Sequence, residues 1–515
     1  MTQNRRILLN IVATYGRSVY ALVLGLFTTR WALEALGQVD FGLYGVVGGL
    51  TAFIAFFNGL LASAIGRFYA VEIGRLDVAG DKSVALEDCR RWFSIATFIH
   101  VVVPIGLIVI GYPIGEWMVR RFLTIPPDRV EDCVWVFRFV CSTCFLAMIS
   151  VPVNAMYIAK QYIAELTLYS FVATTANAVF VYYMVVHPGV WLPWYAGWSC
   201  LLTLLPQLII TVRAWKQFPE CRFRLRYCWD PHRFRQILGY AGWTVVGGVA
   251  SLLRTQGVAI LINKFFGPSV NAAMSVANQV NGKAMTLSAS IQGAMTPVIS
   301  AAVGVGDMRR VRTLAFRFCK VSMVVSLLFL IPLALELPLV IRLWLHRPPE
   351  YAIGLCWIML AISFVDKNTL GHGIAIMSYG RLKGYQTVLG TFNLLTIPLA
   401  WTLCALGCNV YGVGGAMFVT WMLLVYGRLY FAKRLLGMEI GYWFRQIMIP
   451  VLTVTVLSVA TGLLPILMLP PSLLRLALTT AFSVLVLVPS ACFFVLDAEE
   501  RKFLTLKIGK VLGNG

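Results

Sequence analysis

Long stretches of mostly apolar residues follow one another along almost the whole chain, and fourteen of them reach about twenty residues. They run near 7–31, 41–66, 92–119, 133–157, 161–186, 192–213, 236–262, 269–300, 314–342, 352–378, 384–407, 410–432, 446–468 and 472–496. As helices, stretches of this length cross the roughly 30 Å hydrocarbon core of a bilayer. A helix satisfies its own backbone hydrogen bonds, so it needs no water there. The sequence therefore predicts an all-α polytopic membrane protein with about 14 transmembrane helices. Composition excludes the alternative: 59% of the 515 residues are hydrophobic and 13% charged, against about 25% charged in soluble domains. Mean hydropathy is +0.79. The first apolar run begins at Ile7, contains Asn10, Thr14 and Arg17, and is followed by no small-residue cleavage site. It reads as a span and not as a signal peptide. Pro104, Pro152, Pro297 and Pro332 fall inside spans, where neighbouring helices satisfy the freed carbonyls.

The net charge is +21, from 43 basic and 22 acidic residues. In a soluble chain this would suggest nucleic acid; in a membrane chain it reads as a cytoplasmic excess of Lys and Arg. With the N-terminus inside, the cytoplasmic segments hold 30 of them, including Arg90, Arg91, Arg222, Arg224, Arg226, Arg309, Arg310 and Arg312. The outer segments hold 8: Arg30, Arg120, Arg121, Arg129, Lys264, Arg342, Arg347 and Arg475. Both termini are thus expected inside, with short outer loops and no extramembrane domain. The twelve cysteines are scattered. Cys141 and Cys144 read as small core residues, since no second pair completes a metal site. No cofactor is expected.

The chain repeats itself weakly. Phe41-Gly42 recurs as Phe266-Gly267, "EWM" at 116–118 as "RLW" at 342–344, "TIPPDRVE" at 124–131 as "HRPPEYA" at 346–352, and "KQY" at 160–162 as "KGY" at 383–385. The offsets lie between about 222 and 227. Six spans per repeat is an even number, so both copies start from the same side, a parallel repeat. The expected division is an N-lobe at 1–213, a basic linker at 214–235, a C-lobe at 236–436, and two further helices with a tail at 437–515. Two six-helix lobes are a transporter layout, with substrate sites at the repeat interface near the bilayer midplane.

Five cations fall within spans: Arg17, Arg138, Arg254, Lys283 and Lys367. A guanidinium at mid-bilayer costs from roughly 2.5–3.5 to above 10 kcal/mol. The interior acids are Glu165 and Asp366. Arg138 lies near an outer end, where it can snorkel. Glu336 and Glu34 also lie near outer ends and are expected to reach the headgroups. Glu165 reads either as a proton or cation site or as a partner for Arg17 or Arg254. Asp366 reads as an ion-coupling group or, with Lys367, as part of a structural pairing. His100 and His372 read as satisfied core residues. Arg17 shares a face with Asn10 and Thr14, and Arg254 follows Gly247 and Ser251 at i, i+4, i+7 spacing. Arg17 and Arg254 lie on the first helices of the two lobes, so they are assigned to a central cavity. Span 8 is the most polar, with Asn271, Asn278, Gln279, Asn281, Lys283, Thr286, Ser288, Ser290 and Gln292. A cavity with surplus positive charge selects anions, and arginine's planar fork matches phosphate.

The stretch at 28–75, with "LG-x-x-DFGLY", and the stretch at 262–311, with "FFGPSVNAA-x-x-VANQVN", resemble Wzx-type polysaccharide and O-antigen flippases. These form the polysaccharide-transporter branch of the multidrug/oligosaccharidyl-lipid/polysaccharide exporter superfamily. The similarity covers spans 1–12. It implies a V-shaped pair of lobes working by alternating access. It implies an undecaprenyl-diphosphate-linked oligosaccharide as cargo, moved from the cytoplasmic to the outer leaflet for surface polysaccharide. In related lipid II flippases, arginines on helices 1, 2 and 7 line the cavity. Arg17 and Arg254 fall on the first and seventh helices here, and Arg67 on the second, near its cytoplasmic end. Helices 13 and 14 of lipid II flippases form a lipid-tail groove.

The resulting expectation is a non-enzymatic flippase of the bacterial inner membrane, monomeric, acting with membrane lipids and other polysaccharide-assembly proteins. Arg17, Arg254 and Lys283 bind the diphosphate. Candidate cavity-lining residues are Asn10, Thr14, Tyr15, Tyr20, Arg67, Asn278, Asn281 and Gln292, and candidate coupling acids are Glu165 and Asp366. The membrane potential favours outward movement of anions by about 2.3 kcal/mol per charge per 100 mV. The first rival is a cation-coupled multidrug exporter, which needs an acidic cavity. The second is an integral-membrane glycan polymerase or ligase, which would carry a large outer loop. No P-loop, H-E-x-x-H or D-x-D motif is present.

Overall fold

The computed structural model describes residues 3–52, 82–160, 162–304, 306–345, 347–497 and 501, with isolated positions between 53 and 81. No side chain is described for 3–15, 234–244, 284–291 and a few single positions. The described residues are almost entirely helical, without strands. Nine of the described helices are long and apolar enough to cross a membrane, and one bent pair passes the same test together. The protein is a multi-pass, all-α membrane protein. Its chain forms two compact units, Met1–Ala272 and Ala273–Gly515.

The first unit opens with α1, Gln3–Gly49. Then come α2 (Lys82–Trp117), α3 (Val130–Ile149), the short α4 (Val151–Ala159), α5 (Ile163–Val186), α6 (Leu192–Gln217) and α7 (Pro231–Phe266). Expected spans 1 and 2 are joined inside α1 by Gly37, whose φ of 73° and ψ of 174° interrupt the helix. Gly267, between α7 and α8 (Pro268–Gly304), has φ 82°. Both junctions turn on a left-handed residue, which only glycine adopts without strain. Gly37 and Gly267 thus meet the same backbone requirement at their junctions. Gly42 does another job: a Cβ there would lie 1.9 Å from the Pro268 carbonyl oxygen.

α1 and α5 run parallel. Arg17 reaches Ser170, Tyr20 reaches Thr175, and Trp31 meets Tyr182 edge-on at 5.2 Å. Spans 1 and 5 should cross in the same sense in an alternating topology, and their pairing agrees. At the α2, α4 and α6 ends, Phe93, Tyr157, Phe218 and Cys221 form a buried core. Burying a large apolar side chain is worth roughly 1.5–3 kcal/mol. Threonine hydroxyls at Thr143, Thr167 and Thr174 donate to the carbonyl four residues back, so they need no water in the membrane.

The second unit continues through α9 (Met308–Leu335), α10 (Leu337–Trp344), α11 (Ala352–Lys367), α12 (Leu370–Tyr379), α13 (Leu382–Ala405) and α14 (Val410–Leu436). α15 (Ile440–Trp443) leads through a wide π turn into α16 (Ile449–Met468), and α17 (Leu473–Ser490) follows. The side chains of Asp307, Asn409 and Ser472 cap α9, α14 and α17 by accepting backbone N–H bonds, which satisfies donors that helix starts leave open. Gly437, with φ 64°, ends α14. The tenth expected span is broken: α11 and α12 meet at 52°. At the break the Trp443 indole N–H donates to the Asn368 carbonyl at 2.9 Å.

The last two helices are fastened to α9. Glu336 is fully buried, and Arg475 donates to its two oxygens at 3.0 and 2.8 Å, with Thr479 adding a bond at 2.9 Å. This corrects the expectation that Glu336 reaches the headgroups: Arg475 lies 139 positions away and neutralises it in place. Glu34 is exposed, as expected. Further along α9, the Lys320 ammonium donates to Asp497 at 2.9 Å.

Candidate functional site

Arg17 is exposed on α1, and its Nη1 donates to the Ser170 hydroxyl on α5 at 3.4 Å. One turn on, the Tyr20 hydroxyl shares a 2.7 Å bond with Thr175, and its ring stacks on Phe171 at 3.9 Å. From this point an apolar groove runs along α5. Phe171, Thr175, Val179 and Tyr183 line one side at helical spacing and Trp198 of α6 the other, in an open groove of about 680 Å³. Arg17 itself is not among the lining residues; it meets Ser170, the neighbour of the groove-lining Phe171.

Arg254 is 8% exposed, in α7, one turn from the buried Ala250 and Val258. Nearby, Gln256 and Ile260 of α7 border a cavity of about 410 Å³ lined by Gly49, Thr51, Tyr112 and Phe137. In the second unit Lys283 is half-buried. Asn281 accepts a hydrogen bond from Ser363, while Asn278 and Gln292 are exposed. The side chains of Asn10, Thr14 and Tyr15, and the whole of Arg67, lie outside the described residues.

The two candidate coupling acids both carry cationic partners. Glu165 is held by Arg213 of α6 at 2.6 Å and accepts a further bond from Tyr169 at 3.2 Å. Asp366 accepts from Arg428 of α14 at 2.6 Å and lies 3.8 Å from Lys367. Arg428 also donates to Thr369 at 3.4 Å, so it ties α14 to the break between α11 and α12. The structural reading of Asp366 and Lys367 is the one this geometry favours. Sequence reasoning missed Arg428. It stands near the end of a span, where a basic residue looks like an ordinary flank.

Arg138 is half-exposed, donates to Tyr112 at 3.0 Å and lies over Trp135. His100 and His372 are core residues as expected, with Nδ1 against the Ala96 carbonyl and the Cys319 sulfur. Each is satisfied at one ring nitrogen only, the Nε2 atoms being buried without a hydrogen-bond partner among the described residues. Among the described residues no group of three His, Cys, Asp or Glu could hold a metal ion.

Residues 249–399 match the MatE family model. Among solved structures, the chain is similar to the lipid II flippase MurJ in its inward closed conformation. That similarity has a TM-score of 0.64 at 11% identity, over 95% of this chain and 98% of that one. It is also similar to an inward-facing multidrug resistance MATE transporter of the MOP superfamily, with a TM-score of 0.62 at 14% identity over 82% and 94% of the two chains. A third is a MOP superfamily transporter from Pyrococcus furiosus whose binding pocket has reversed polarity, with a TM-score of 0.53 at 13% identity over 84% and 94%. No curated protein matches the sequence. The chain has the fold of these transporters, and its residues 249–399 are similar to the MatE family. The neighbours it resembles are transporters and flippases, not enzymes.

Proposed function

We propose that this chain is a flippase of the Wzx-type branch, translocating polyprenyl-diphosphate-linked oligosaccharide from the cytoplasmic to the outer leaflet of the inner membrane. The observation that carries the reading is Arg17, exposed within an apolar stretch of α1 and bonded to Ser170, the neighbour of the groove-lining Phe171 of α5. The guanidinium takes a diphosphate oxygen in a low-dielectric setting, where a charge-assisted bond is strong. The groove takes hydrocarbon. Arg254 and Lys283 are the other proposed diphosphate ligands, and exposed Asn278 and Gln292 offer hydrogen bonds to sugars. The similarity to the lipid II flippase spans 95% of the chain, while that to the multidrug transporters spans 82–85%. That extent supports a lipid-linked cargo. In this reading residues 1–213 and 236–436 are the working lobes, 214–235 the cytoplasmic linker, and both termini face the cytoplasm.

The multidrug neighbours support a second reading, a cation-coupled drug exporter. It requires an acidic acceptor, and Glu165 and Asp366 each stand 2.6 Å from a guanidinium. The test compares Arg17→Ala with Glu165→Gln and Asp366→Asn. Flipping of a lipid-linked glycan in vesicles should collapse in the first, with cytoplasm-facing glycan accumulating in cells. Normal flipping by Arg17→Ala, with drug efflux abolished by the acid variants, would give the exporter reading the site.

A further inference from the structure

Away from the Arg17 site, the second unit holds a concave cavity of about 700 Å³ where α9 begins and α14 and the last span end. Arg309, Arg312, Phe316 and Lys320 follow at i, i+3, i+7 and i+11, so one face of α9 supplies one wall. The opposite wall is the loop Gly437–Glu439 with Tyr442. Four cations line the cavity, Arg317 being the fourth, against the two acids Glu439 and Asp497. Lys320 is committed to Asp497, at 2.9 Å. Arg312 is steered toward the loop, its Nη1 3.5 Å from the Gly437 carbonyl. Part of the lining is apolar: the Phe316 and Tyr442 rings meet edge to face at 5.0 Å. Tyr442 stands in the first turn of the segment Ile440–Met468, which is apolar enough to enter the membrane, and interfacial tyrosines mark the headgroup level.

We infer that this cavity binds the phosphodiester headgroup of an anionic membrane lipid on the side where α9 starts. The planar guanidiniums of Arg309 and Arg312 match phosphate oxygens. The Phe316–Tyr442 wall receives the glycerol and first methylenes, a wall that a free phosphate ion would not use. Basic pockets between membrane helices take anionic headgroups in this way. The position adds a consequence. Residues 437–439 connect α14 to the last two spans, so a lipid seated there braces that joint from outside.

The test uses the full-length protein in nanodiscs of phosphatidylethanolamine, with and without phosphatidylglycerol, read by native mass spectrometry of retained lipid. Phosphatidylglycerol should be retained over phosphatidylethanolamine. R309Q/R312Q should lower its retention about tenfold, and Glu439→Gln should raise it about threefold. Inorganic phosphate should neither compete nor raise the melting temperature. Wild-type retention by R309Q/R312Q, or unchanged or weaker retention by Glu439→Gln, would overturn the assignment. The second variant keeps the test decisive if the first fails to fold. A melting shift with inorganic phosphate equal to that with phosphatidylglycerol would mark a free-anion site and overturn the lipid.

Discussion

α1 and α14 each hold an arginine within a largely apolar helix, and they treat it in opposite ways. Arg17 is exposed beside a neutral hydroxyl. Arg428 has a 15% exposed side chain and sits on a carboxylate at 2.6 Å. A charge matched in place belongs to the architecture, because its removal strands the partner. A charge left beside a hydroxyl holds little of the fold together and remains available to a ligand. The contrast separates a cation matched in place from one that meets only a hydroxyl.

The largest effect should come from breaking the second arrangement. Arg428→Ala leaves Asp366 buried without its guanidinium and should destabilise by about 3–5 kcal/mol, seen as an early melting transition in detergent. Adding Asp366→Asn should recover most of the loss. If the double variant is no better than the single, Arg428 is not held there by charge matching. Next comes the packing around the same break. A Cβ at Gly371 would lie 2.1 Å from the Ala315 carbonyl oxygen and 3.0 Å from the Cys319 sulfur, so Gly371→Ala should destabilise by about 1–3 kcal/mol.

Arg17→Ala should shift stability by no more than about 0.5 kcal/mol while abolishing flipping. A large loss of stability would place Arg17 with Arg428 and erase the contrast. The smallest effect lies in the loop after α6. Burial, with the Glu220 carboxylate beside it, pushes the Cys221 thiol up to about 12 from 9.0. The fold favours the protonated thiol, so its contribution is complete below pH 9 and is lost as pH rises toward 12. At pH 8 maleimide should leave Cys221 untouched and label the exposed Cys408. In sealed cells an impermeant maleimide should still reach Cys408 if the N-terminus faces the cytoplasm as proposed.

Much of the architecture was readable beforehand, since each span is a local property of twenty residues. Arg17 and Arg254 stood out for the same reason: a charge within an apolar run violates its surroundings. Their fates did not stand out, and the structure sends one to the surface and buries the other. Arg428 escaped notice because its position near a span's end is normal for a basic residue. The left-handed turns at Gly37 and Gly267 were not legible, because φ is not a property of residue identity alone.

Taken alone, the amino-acid order determined the membrane class, the succession of helices, the basic bias and the presence of charge inside the spans. Hydropathy and helix formation sum over neighbours in the chain, so these follow without contacts. Tertiary structure decided which charges are matched: Glu165 with Arg213, Asp366 with Arg428, Glu336 with Arg475. It also decided which arginine is exposed and which is buried. Coulomb and hydrogen-bond energies depend on ångström distances between residues tens to more than a hundred positions apart, and only the folded chain sets those distances.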